Sequence, residues 1–120
     1  MSTSNKINWV VALVGIWEGL APFILGYSDI AAAVWNAIIV GLIVLVLAVW
    51  SALTDSPTTA KTLDWINVAV GIWLIIAPFV LGYSIVTIAM WNAIIVGAVI
   101  AALEIWAALS IRTVETVDYE

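Results

Sequence analysis

The 120-residue chain contains no cysteine and no histidine. Disulfides, thiolate nucleophiles and imidazole bases are thereby excluded, along with haem ligation by these residues and most transition-metal sites. No cofactor and no metal is expected. Basic residues are almost as scarce: three Lys and Arg stand against eight Asp and Glu, for a formal net charge of −5. That balance is wrong for a phosphate backbone, so nucleic acid is not expected as a partner. Charged residues of either sign make up 9% of the chain and hydrophobic residues 66%. With a mean hydropathy of +1.23, the chain has too few solvating side chains to cover a soluble domain of this length. Catalytic constellations are missing as well. No nucleophile has a base, no acid pair is set by spacing, and no glycine-rich phosphate loop follows a strand. An enzyme is not expected.

What is there is apolar sequence in four blocks of membrane-spanning length, at residues 7–26, 30–53, 64–82 and 85–110. A hydrocarbon core about 30 Å thick takes roughly 20 residues per helical crossing. The runs are continuous and show no period-2 alternation, which favours helices over barrel strands. The expected fold is an all-α membrane protein, a single transmembrane domain over residues 1–120. Lys6 ahead of the first run gives that run the look of a signal peptide, but its close copy at 65–82 lies mid-chain, so it is read as a mature helix.

The chain repeats itself. Residues 9–53 and 65–109 align without a gap, and 24 of the 45 positions are identical, among them Trp, Pro, Asn and Gly pairs that shared apolar composition would not produce. Each copy is a helical hairpin. Residues 54–64 read as a polar, solvated linker containing Pro57, and 113–120 as an acidic tail. Lys6, Lys61 and Arg112 all fall on one side of a four-crossing topology, so the positive-inside rule places both termini and the linker in the cytoplasm, in the cell (inner, cytoplasmic) membrane. Two hairpins inserted with the same orientation imply a pseudo-two-fold axis along the membrane normal.

Boundary signals also come in pairs. Asn8 and Asp64 precede Trp9 and Trp65 and are N-cap candidates. Leu25-Gly26-Tyr27-Ser28 and Leu81-Gly82-Tyr83-Ser84 form the hairpin turns. In these, Gly suits a left-handed helix end, Tyr the headgroup layer, and Ser the cap of the next helix. Trp9, Trp50, Trp65 and Trp106 mark an interfacial belt, while Trp17, Trp73, Trp35 and Trp91 lie deeper. Pro22 and Pro78 free the carbonyls of Glu18 and Leu74 and predict a kink or local widening.

Packing and polar candidates follow. Gly15, Gly41, Gly71 and Gly97 are predicted at close helix crossings, within small-residue ridges that include Ala33, Ala37, Ala89, Ala93 and Ala101. Asn36 and Asn92 are expected to bond across helices, their amides being too costly to face lipid. Glu18 is opposite Leu74 in the alignment, and Glu104 is opposite Ala48. An intramembrane carboxyl must hold a proton, face water or a cation, or meet a partner. Glu104 is expected to reach the cytoplasmic interface near Trp106. Glu18, near mid-depth, is placed to bond an Asn amide, with a proton or cation site as the sharper alternative.

The pattern Gly-Ile-Trp-x-x-x-Ala-Pro-Phe-x-Leu-Gly-Tyr-Ser, followed by Trp-Asn-Ala-Ile-Ile-Val-Gly, occurs in both copies and resembles the SPW-repeat membrane proteins. The name-giving Ser-Pro-Trp reads Ala21-Pro22-Phe23 and Ala77-Pro78-Phe79 here. The resemblance implies a small bacterial or archaeal integral membrane protein built from helical hairpins, and brings no catalytic residues. The expected function is a non-catalytic membrane module surrounded by lipids, either self-associating as a homo-oligomer or docking as an accessory subunit. The alternatives are an oligomeric proton or cation channel using Glu18, and a lipid, quinone or pigment binder working through Trp-lined faces.

Overall fold

The computed structural model describes residues 2–111 and contains four helices: α1 (Thr3–Leu25), α2 (Ala31–Leu53), α3 (Pro57–Val80) and α4 (Thr87–Ser110). Each has 23 or 24 residues, roughly 35 Å at the α-helical rise, and each is long and apolar enough to span a bilayer. Arg112 and the tail at 113–120 lie outside the described residues.

Both first helices of the hairpins start earlier than the polar signals suggested. Ser2 caps α1, accepting from Asn5 N at 3.1 Å, while Asn5 Oδ1 accepts from Ser2 N to complete a capping box. Ser56 caps α3 by accepting from Thr59 N at 3.2 Å, and Pro57 occupies the first turn, where its missing N–H costs nothing. The expected linker of residues 54–64 therefore shrinks to the three residues between α2 and α3. The polar run after Pro57 is helix rather than loop. Asn8 and Asp64 are consequently not caps: they sit inside α1 and α3, at 1% and 0% exposure.

The other ends are built by the turns. Gly26 and Gly82 take φ of +88° and +84°, a left-handed conformation that glycine adopts without strain. Tyr27 N and Tyr83 N each donate, at 2.9 Å, to the carbonyl of the proline five residues earlier, Pro22 and Pro78. α1 and α3 remain helical through these prolines and end within a turn of them. Ser28 and Ser84 do not cap the following helices. α2 and α4 start after Ile30 and Val86, which make no side-chain cap bond.

Packing within each hairpin depends on glycine. A Cβ added to Gly41 would stand 2.6 Å from Gly15 O, and one added to Gly97 would stand 2.5 Å from Gly71 O. Backbone thus meets backbone at both crossings, as the small-residue spacing implied. Between hairpins, α1 packs on α4 and α2 on α3, so each helix has two neighbours in a four-membered ring. The most buried apolar side chains include Val11, Val44, Leu74 and Ile100, all at 0% exposure. Large apolar side chains such as Leu13, Trp35, Leu42, Trp91 and Leu109 face outward, which in lipid is the stable arrangement.

Candidate functional site

Among the described residues, two polar clusters interrupt the bundle interior at different depths along the helices. The first lies toward the hairpin turns. Trp17 Nε1 donates to Asn92 Oδ1 at 3.2 Å, and Asn92 Nδ2 donates to Tyr27 Oη at 3.1 Å and to Glu18 Oε1 at 3.0 Å. The equivalent residues of the other repeat copy this geometry. Trp73 Nε1 donates to Asn36 Oδ1 and Asn36 Nδ2 to Tyr83 Oη, both at 3.0 Å. The contacts between repeats are therefore reciprocal, each Asn receiving the indole of one helix and binding the phenol that ends it. Glu18 is the addition to one side only, where the other has Leu74. At 2% exposure Glu18 meets, through Oε1, an amide inside its own chain.

The tyrosines depart from expectation. Their rings do not stand out toward the surroundings but fold inward, at 4% exposure each. Burial pushes the Tyr27 phenol up and the Tyr83 phenol up to about 12, so both stay neutral partners for the amides.

The second cluster lies at the linker end and went largely unread in the sequence. Asp64 Oδ1 accepts from Asn8 Nδ2 at 3.0 Å and from Ser51 Oγ at 2.6 Å, joining α1, α2 and α3. One turn deeper, Asn67 Nδ2 donates to Glu104 Oε2 at 2.9 Å and to the Val44 carbonyl at 3.3 Å. Glu104 therefore does not reach the interface. At 0% exposure it points into the bundle, where Asn67 offers an amide. In the alignment Asn67 and Glu104 take the places of Val11 and Ala48. The mismatch at both positions of a single packing pair was the available signal. Glu104 stands out in the sequence as unmatched, whereas Asn67 is one polar residue in an apolar run.

Recesses lie at the linker end and between the hairpins. A cavity of about 230 Å³ opens at the linker end beside Ser4, Asn5, Ser51, Asp55 and Ser56. Two lipid-facing grooves run between the hairpins in equivalent places. The α2/α3 groove, with Asn36, Ile43, Ala69 and Trp73, measures about 440 Å³, and the α1/α4 groove, with Leu13, Trp17, Ile95 and Val99, about 320 Å³.

Four spanning-length helices with an apolar exterior and polar clusters confined to the interior define a multi-pass helical membrane protein. The family model described as the SPW repeat domain matches residues 5–107, and the chain belongs to the SPW repeat family. No curated protein and no solved structure matches it.

Proposed function

We propose that this protein is a non-catalytic module of the cytoplasmic membrane, with both termini on the cytoplasmic side, that acts by associating with a second copy of itself. The observation that carries this reading is an open groove on one hairpin only. Between α1 and α2, a recess of about 280 Å³ is floored by Gly15, Gly19 and Gly41 and walled by Ile16, Leu20 and Leu42. In the other hairpin Ile75 replaces Gly19, and its Cγ1 lies 2.9 Å from the position of a Cβ on Gly97. The second groove is thus filled by its own chain. A helix from a neighbouring copy can approach the first one closely, with van der Waals packing as the driving force. The other small-residue contacts are used within the monomer and contribute nothing to assembly. Glu18 points to the opposite, inner side, so a channel built around a ring of Glu18 has no comparable support. The reciprocal bonds of Asn36 and Asn92 favour an approximate two-fold axis along the bundle.

Gly19→Ile copies the second repeat into the first. A Cβ at Gly19 meets nothing within 4 Å, so the variant is expected to keep its helical content. Subunit counting by stepwise photobleaching in dilute lipid vesicles should show oligomers for the parent and monomers for the variant. A parent that is monomeric alone and joins only another membrane protein would turn the reading to an accessory subunit.

A second reading, a binder of a flat apolar molecule such as a quinone or pigment, is favoured by the inequality of the two inter-hairpin grooves. Ala69 stands where the smaller groove has Leu13. Organic extraction of gently purified protein should then recover a stoichiometric ligand that Ala69→Leu displaces. Recovery of bulk lipid alone from both proteins would eliminate this reading.

A further inference from the structure

The linker-end cluster is short of hydrogen-bond donors. Four of its buried oxygens have no partner: Asp64 Oδ2, Glu104 Oε1, Asn8 Oδ1 and Asn67 Oδ1. They belong to residues at no more than 1% exposure, where an unmet acceptor is costly. The deficit has a regular form. In each acid–amide pair the amide nitrogen already donates to one carboxyl oxygen, leaving the second carboxyl oxygen and the amide oxygen without a hydrogen. No cationic side chain among the described residues is there to balance two carboxylates. Around the pair α1 contributes neutral Asn8, α2 contributes Ser51 and the Val44 carbonyl, and α4 contributes only Glu104 itself. Lys6 is exposed and Lys61 only half-buried, and neither bonds to the cluster.

We infer that Asp64 and Glu104 form a two-proton site, each carboxyl holding its proton as a donor to an amide oxygen and being loaded from the linker-end cavity. Two hydroxyl donors and two orphaned amide oxygens account for all four unmatched atoms and leave the interior uncharged. A metal ion would have to gather oxygens from two levels of the bundle, one helical turn apart on α3. Protons need no such convergence. The route of entry is Ser51, which bonds Asp64 and also lines the cavity. Asp64 is therefore the outer member and Glu104 the inner one. The site joins the repeats, because Asn8–Asp64 ties α1 to α3 and Asn67 also donates to the Val44 carbonyl of α2. It is independent of the self-association groove, which lies on the outer face.

Infrared spectroscopy in lipid vesicles at neutral pH reads this directly, since a protonated carboxyl has a C=O stretch separate from those of carboxylate and amide. Full-length Glu18→Gln protein removes the other buried acid among the described residues. Its spectrum is expected to show a protonated-carboxyl band with two components, one lost in Asp64→Asn and the other in Glu104→Gln, both isosteric changes. On transfer to heavy water the Asp64 component should shift first, as the residue nearer the cavity. A spectrum holding only carboxylate bands would overturn the proposal. So would a band that disappears when sodium, potassium or calcium is added at constant pH, because the site would then be one for cations. A band unchanged by both substitutions would place the protons elsewhere and equally defeat it.

Discussion

Gly97→Leu should be the most damaging single substitution in this chain, costing about 3 kcal/mol or more, at or beyond the upper end of what overpacking costs elsewhere. The Cβ alone would lie 2.5 Å from Gly71 O and 3.1 Å from Ile75 N. These are backbone atoms of a helix held along its whole length, so no rotamer change relieves the clash and α3 must move away from α4. Gly19→Ala is the matched control in protein diluted to single copies, since its Cβ meets nothing within 4 Å inside the chain itself. That change should stay within about 0.5 kcal/mol. Reversible unfolding of both proteins in bicelles checks the pair. Similar stabilities would mean that the hairpin crossing is looser than the structure shows.

Asn67→Val alone is expected to destabilise the fold, whereas Asn67→Val with Glu104→Ala should recover most of the loss. The single change removes the only amide among the described residues that donates to Glu104 and strands a buried acid. The double change installs the pair that the first repeat already uses, Val11 with Ala48, at 0% exposure each. Replacing both partners of a buried polar contact by apolar groups that fit is close to neutral, while removing one is not. The size of the single effect also bears on the two-proton site. Stranding a neutral carboxyl costs about 1–3 kcal/mol, whereas stranding an ionised one costs about 3–5 kcal/mol. Thermodynamic cycles over the parent, both single variants and the double variant, in the same bicelles, supply the coupling. Strictly additive effects would show that Asn67 and Glu104 do not depend on one another.

Fold class, helix number, the hairpin repeat and the glycine crossings were legible because lipid imposes local rules. A spanning helix must be apolar over a set length, and close approach of two such helices requires residues without side-chain bulk. These requirements show in composition and in four-residue spacing. Helix starts were misjudged for the same reason. Asn and Asp ahead of an apolar block look like caps when apolarity is taken as the edge of the helix. Here the helices continue by a further turn or more in polar sequence, to the serines at positions 2 and 56. The same ambiguity conceals the linker-end site, since two of its members, Asn8 and Asp64, have the sequence context of helix ends.

By itself, then, the sequence determined that this chain spans a membrane as two copies of one hairpin, and it pointed to Glu18 and Glu104 as the places where the copies differ. Only the tertiary structure decided what those acids face. Glu18 bonds Asn92, 74 residues away, and Glu104 bonds Asn67, 37 residues away. The direction of each side chain depends on the rotation of whole helices about their axes, and in a chain so uniformly apolar the hydrophobic pattern scarcely specifies that rotation. The backbone-to-backbone glycine contacts and the reciprocal Asn–Trp–Tyr bonds specify it instead, and they exist only once both hairpins have met.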